Sequence, residues 1–171
     1  MARFFMAKFF FLTLVLTATL VAAEDATKGY LDGAKQVADN IWIGPQPSAA
    51  DFNELAAEEV TVVVNTRTAA EMDQLDFAAD AQAQKFNMNY ELIEIGQGHA
   101  YSPVQLAQFN DFMQAHEGQK MLLHCRSGNR ASQLYAAWLI KHQNKTATEA
   151  LQAIQSEETE LNDAIKALLG E

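Results

Sequence analysis

Cysteine is almost absent from this chain: one residue, Cys125, stands alone among 171. No internal disulfide can form, and four histidines scattered without ligand spacing around that one cysteine offer no metal site. Positive charge is also scarce, with 12 Lys and Arg against 22 Asp and Glu and a net charge of −10. Such a surface repels polynucleotides and anionic lipid, which excludes nucleic-acid binding as a main role. Repeats, low-complexity tracts and aromatic or methionine boxes for a cofactor are lacking as well. Phe109, Phe112, Met113 and Trp138 recur at helical spacing and read as core.

Long apolar runs are confined to the beginning. Arg3 and Lys8 precede an uncharged apolar stretch from Phe9 to Val21, followed by Ala22, Ala23, Glu24 and Asp25. Two cations, a short apolar stretch and small residues form the pattern of a secretory signal peptide, and the stretch is too short for a dedicated membrane span. Residues 1–23 are therefore expected to be removed, leaving 24–171 as one domain without stable membrane insertion, exported to a bacterial periplasm or secreted. Removal of Arg3 and Lys8 leaves 10 cations against 22 carboxylates, a net charge of 10 − 22 = −12. In an oxidising compartment a lone thiol is a liability unless it is buried or does chemistry.

What is present alternates between strand and helix signals. Residues 24–40 read as a polar lead-in, and Ile41 to Ile43 as a short strand ended by the rigid corner Gly44-Pro-Gln-Pro47. Ser48 and Asp51 make a capping-box pair for a helix carrying Phe52, Leu55 and Ala56 on one face. Val60 to Val64 is a nearly continuous β-branched strand of the kind buried in parallel sheets, ending at Asn65-Thr-Arg67. An alanine-rich acidic helical region follows from Ala69 to about Lys85, then a strand from Tyr90 to Ile95 and a loop from Gly96 to Ala100. Ser102 and Pro103 start a helix with Leu106, Phe109 and Met113 on its core face and Gly118 as its stop. Met121 to His124 is a third apolar strand, and Ala131, Leu134, Tyr135 and Trp138 share one face of the helix after it. Two short amphipathic helices, with Leu151 and Ile154 and then Leu161, Ile165 and Leu168, are expected to cover the sheet. The order predicts an α/β fold: a mostly parallel central sheet flanked by helices.

The chemistry concentrates in His124-Cys-Arg-Ser-Gly-Asn-Arg130, which joins the third strand to its helix. A loop feeding a helix N-terminus aims several backbone N–H groups at one spot, an arrangement that binds anions. Gly128 permits a positive φ, so the loop can curl around a ligand. The same field favours thiolate over thiol and makes Cys125 a candidate nucleophile. Beyond the leader the chain has three arginines, Arg67, Arg126 and Arg130, and two lie in this loop. Arginine grips a tetrahedral oxyanion through two parallel hydrogen bonds. Arg67 falls at the carboxyl end of another predicted strand, the edge where open α/β sheets place ligands. Arg67, Arg126, Ser127, Gly128 and Asn129 are the candidate substrate-binding residues, with no metal and no cofactor.

Together with Pro45-Gln-Pro-Ser48 and Asn65-Thr-Arg67, this loop resembles the bacterial phosphatase-like domain family named after beta-lactamase hydrolase-like proteins. That family is itself similar to dual-specificity protein tyrosine phosphatases. The resemblance spans Val37 to Gln155. It implies a doubly wound sheet, Cys125 as nucleophile, Arg130 as phosphate clamp, a phosphocysteine intermediate, and a phosphorylated small molecule or phosphoprotein as substrate. It does not imply lactam hydrolysis. Four residues separate Cys125 from Arg130 where tyrosine phosphatases have five, and Ala131 stands at the usual arginine position. The loop where those enzymes carry an acidic aspartate reads Gly96-Gln-Gly-His-Ala-Tyr101. His99 is the candidate general acid, with Glu71 and Asp73 as alternatives. His124 reads as an orienting residue rather than a catalyst. The loop is also similar to that of single-domain rhodaneses, which implies a Cys125 persulfide as the alternative chemistry. A non-catalytic phosphate-binding module is the third reading.

Overall fold

The computed structural model describes residues 28–171, so the expected leader, residues 1–23, lies outside the described residues. Five strands form one sheet in the order β1-β2-β5-β3-β4. They are β1 (Lys35–Ala38), β2 (Ile41–Gly44), β3 (Val62–Asn65), β4 (Asn89–Leu92) and β5 (Met121–His124). Strands β2, β5, β3 and β4 run parallel, and β1 alone is antiparallel. The α/β reading with a mostly parallel sheet is borne out.

The three inner strands β2, β5 and β3 are mostly apolar because both faces of the sheet are covered there. Ile41, Ile43, Val62, Val64, Met121 and Leu123 share one core cluster with Leu106 and Phe109 of α5 (Pro103–Ala115) and Ala131 and Leu134 of α6 (Asn129–Gln143). The alternate residues Val63 and Leu122 pack on the other face against Phe52 and Leu55 of α2 (Asp51–Ala57) and Ala79 and Ala83 of α4 (Ala79–Lys85). This alternation is the two-residue period of a strand. Burial of each such aliphatic side chain is worth about 1.5–3 kcal/mol.

Four sequence expectations need correction. The polar lead-in contains a single turn, α1 (Tyr30–Gly33), and the edge strand β1, whose Lys35 and Gln36 are exposed. A strand at a sheet edge needs no apolar face of its own to be recruited, so its sequence carries little pattern. The acidic helical region is broken into α3 (Ala69–Met72) and α4, separated by turns and bends over residues 73–78. Pairing of β4 ends at Leu92 because its neighbour β3 ends opposite at Asn65. The last two helices, α7 (Ala147–Ala153) and α8 (Asp163–Leu169), lie on other helices: both contact α6, and α8 also contacts α5. The Ser48–Asp51 pair makes the reciprocal bonds of a capping box, although the helix itself starts at Asp51. No helix among the described residues is long and apolar enough to cross a membrane.

The register sets up the site. Gly44 pairs with His124, His124 with Asn65, and Asn65 with Leu92, so four parallel strands end in one row. The segments leaving β2, β5 and β3 are the three sequence motifs, and all emerge from that carboxyl edge.

Candidate functional site

Hydrogen bonds tie the three motifs together. Thr66 donates to the His124 carbonyl through its amide at 2.8 Å and its hydroxyl at 3.2 Å. Gln46 donates its amide to the Arg126 carbonyl at 3.3 Å and accepts from Arg67 Nη1 at 2.9 Å. Gln46 therefore touches both other motifs.

Between β5 and α6 the chain curls around Cys125, which is 1 % exposed. Gly128 adopts φ +92° and donates its amide to Cys125 Sγ at 3.2 Å. A Cβ at this glycine would stand 3.2 Å from the Gly44 carbonyl oxygen, so position 128 requires glycine for both conformation and space. Burial is the largest single influence on the thiol and pushes its pKa up; the amides of Ser127, Arg130, Ala131 and Gly128 together outweigh it and hold the thiol below its ordinary range. Arg126, Ser127 and Asn129 are exposed.

Arg130 and Ala131 face different ways, as consecutive residues of a helix separated by about 100° do. Ala131, at the position where an arginine is usual, is 1 % exposed and belongs to the core under α6. Arg130 instead reaches across the sheet edge to Glu71 of α3. Its Nη1 donates to Glu71 Oε2 at 2.7 Å and to the Ile95 carbonyl at 2.7 Å, and its Nη2 donates to Glu71 Oε1 at 2.8 Å. A guanidinium has five N–H groups in a fixed planar fork. The Nε–H and the second Nη2–H, parallel on one edge, have no oxygen partner among the described residues. The Glu71 hydrogen bonds raise the Arg130 pKa most, and Cys125 also contributes.

Glu71 is itself held in place. It is the third residue of α3, its carboxylate accepts from the Thr68 amide at 3.0 Å, and its own amide donates to the Thr68 hydroxyl at 3.2 Å. Arg67, 8 % exposed, places Nε 3.6 Å from Glu71 Oε1 and donates Nη2 to the Glu71 carbonyl at 3.1 Å. The Arg130 hydrogen bonds hold the Glu71 carboxyl at a pKa of about 2. It carries no proton at neutral pH, which removes it as a general acid and leaves it an anchor for two arginines. The Thr68-Ala-Ala-Glu71 capping pattern marks this position in the sequence, though not its distant partner.

His99 lies on the exposed loop after β4, with Nε2 3.7 Å from Glu94 Oε1. The start of that loop touches the site: a Cβ at Gly96 would lie 3.3 Å from Arg130 Cδ. Asp73 is exposed beyond the end of α3. His124 is fully buried, neither ring nitrogen has a hydrogen-bond partner among the described residues, and desolvation drops its pKa to about 3, so the ring is neutral. Two tyrosines near the site have no signal in the sequence. Burial, chiefly, raises the pKa of both Tyr30 and Tyr101, and the charge of Cys125 also raises each. Tyr30 donates its hydroxyl to the Pro45 carbonyl, which backs the first motif. Neither residue has a sequence signature, because single tyrosines in a lead-in and a loop have no period. Among the described residues no group of three or more His, Cys, Asp or Glu side chains is placed to hold a metal ion.

The fold is similar to several solved phosphatase structures. The active form of Tk-PTP has a TM-score of 0.66 at 22% identity, covering 81% of this chain and 97% of that one. PTPMT1 in complex with PI(5)P has a TM-score of 0.68 at 19% identity, covering 81% and 94%. A DUF442 protein from Shewanella putrefaciens, described as a phosphatase, has a TM-score of 0.60 at 22% identity, covering 81% and 89%. At these identities the likeness is one of fold. No curated protein matches the chain. The resemblance seen in the three motifs is borne out at the level of dual-specificity-like phosphatases by a family model described as DSP-PTPase phosphatase fused to NAD+ kinase. That model matches residues 16–167, most of the chain, and the chain therefore belongs to this phosphatase family.

Proposed function

We propose that this chain is a cysteine-dependent phosphomonoester hydrolase, with Cys125 as nucleophile and Arg130 as phosphate clamp. One arrangement carries the reading: a thiol whose pKa is lowered by four loop amides, beside an arginine fixed by Glu71 whose remaining edge meets no oxygen among the described residues. The Cys125 thiolate attacks phosphorus in line, the S–P bond forms as the P–O bond to the leaving group breaks, and His99 gives that oxygen a proton. Water then attacks the phosphocysteine with His99 as base, releasing phosphate and the thiolate. Loop amides and the open edge of Arg130 hold the equatorial oxygens through both steps. Arg67, Arg126, Ser127 and Asn129 complete the anion-binding surround. The substrate is a phosphorylated small molecule or a phosphoprotein, met after export to the periplasm or beyond.

Membership of a phosphatase family supports phosphoryl over sulfane-sulfur chemistry at this loop. The deciding experiment gives the chain purified without residues 1–23 an aryl phosphate, and separately thiosulfate with cyanide, each beside Cys125→Ser. Hydrolysis of the aryl phosphate is expected, lost in Cys125→Ser while vanadate still raises the melting temperature. Full hydrolysis by Cys125→Ser would reject the mechanism, and thiocyanate formation without hydrolysis would make the chain a sulfurtransferase.

A further inference from the structure

On the other side of α3 from Glu71 lies a cavity of about 460 Å³ with an apolar floor of Met72, Phe77, Tyr90 and Leu92. Its charged lining residues are Asp73 and Asp80, both exposed, and no cation among the described residues lines it. The cavity wall is tied to the site. Tyr90 Oη and Met72 Sδ accept from Asn65 Nδ2 at 2.8 and 3.0 Å, and Asn65 Oδ1 accepts from the Arg67 amide at 2.9 Å. Wall and anion-binding edge are thus one hydrogen-bonded unit.

We propose that this cavity is the subsite for a lysine or arginine side chain flanking the phosphorylated residue of a peptide substrate. A long basic side chain lays its methylenes along apolar surface and keeps its charge beside carboxylates, and an ammonium is also attracted to aromatic faces such as Phe77 and Tyr90. An acidic flank would meet two carboxylates here and a chain with a large negative excess elsewhere. Spacing agrees. Tyr90 and Leu92 belong to β4, two strands from β5, a lateral separation of about 10 Å at the usual interstrand distance. An extended peptide advances about 3.3–3.6 Å per residue, so a side chain two or three residues from the phosphorylated one reaches the cavity.

The inference rests on the phosphatase reading for where the phosphate sits, and the test separates the two. Fluorescent phosphotyrosine peptides carrying lysine, alanine or glutamate two and three residues to either side are titrated into full-length Cys125→Ser by anisotropy, so that binding is read without turnover. The same titrations use Cys125→Ser combined with Asp80→Lys or Asp80→Asn, with melting temperatures as the control for folding. Lysine peptides should bind roughly 3- to 10-fold tighter than alanine peptides and glutamate peptides weaker still, with the lysine preference reduced by Asp80→Asn and abolished by Asp80→Lys. Equal affinity for all three peptides, no binding of any, or a lysine preference that survives Asp80→Lys overturns the subsite. Aryl phosphate hydrolysis by the parent chain reports separately on the catalytic reading. Lysine selectivity without hydrolysis keeps the subsite and removes the phosphatase, and hydrolysis without selectivity does the reverse.

Discussion

Glu71 and Arg130, 59 positions apart in the chain, meet in a two-point hydrogen bond at 2.7 and 2.8 Å with side chains only 14% and 12% exposed. The pair fixes the guanidinium by its end and leaves its side for a ligand. Breaking a buried pair on one side leaves an uncompensated charge and costs about 3–5 kcal/mol. Glu71→Gln keeps the shape and one acceptor oxygen, and the pair is only partly buried, so its cost in stability should fall below that range, about 1–3 kcal/mol. Turnover on an aryl phosphate should fall as well, with KM rising as the clamp loosens. Unchanged denaturant midpoint and kinetics would show that Arg130 holds its place without Glu71.

Acid should unfold the protein through two identifiable groups. Glu71 has a depressed pKa, so its contribution is complete above the ordinary carboxyl range near 4.3 and is lost as pH falls toward about 2. His124 is held neutral, so below its ordinary pKa near 6.5 the unfolded chain takes up a proton that the folded chain refuses until about pH 3. Over that window each pH unit costs up to about 1.4 kcal/mol. Melting temperatures between pH 7 and 3 should fall less steeply for His124→Asn from pH 6 downward, and for Glu71→Gln only below about pH 4.5. Parallel curves for parent and variants would contradict both assignments.

Gly128→Ala should be costly for its size. A side chain at φ +92° is strained by roughly 1–3 kcal/mol, and the new methyl would press on the Gly44 carbonyl. Relief by reshaping the loop would pull the Gly128 amide from the sulfur and raise the thiol pKa. The pH dependence of alkylation by iodoacetamide should therefore move to higher pH in this variant than in the parent.

His99→Ala tests the proton donor through the leaving group. General acid catalysis contributes about 10²–10⁴, and it matters least when the leaving oxygen is already a good anion. Turnover of an alkyl phosphate should fall by about 10² or more, while that of a nitrophenyl phosphate changes far less. Equal losses on both substrates would assign His99 a structural role.

Much of this site was readable because its chemistry is local. Cys125, Gly128 and Arg130 sit within six consecutive residues, and the runs at Val62–Val64 and Met121–Leu123 are apolar enough to mark buried strands. The three motifs converge because their strands end in one row, a consequence of sheet order that motif order alone only suggests. What escaped was either unpatterned or remote. Strand β1 reads Lys-Gln-Val-Ala and is recruited by pairing with Ile41–Ile43. The sequence marks Glu71 only as an alternative acid, because its partner Arg130 stands 59 positions away. The shorter Cys-to-Arg spacing places Ala131 in the core and leaves Arg130 one position earlier, where it reaches Glu71.

Strand β5, which delivers Cys125, lies in the interior of the sheet between β2 and β3, two strands formed much earlier in the chain. Gln46, Arg67, Glu71 and Arg130 are brought together only when those three strands are aligned, so a fragment lacking any of the three should have no activity. Activity and tertiary structure should vanish together in denaturant, making hydrolysis a faithful gauge of cooperative folding in this molecule.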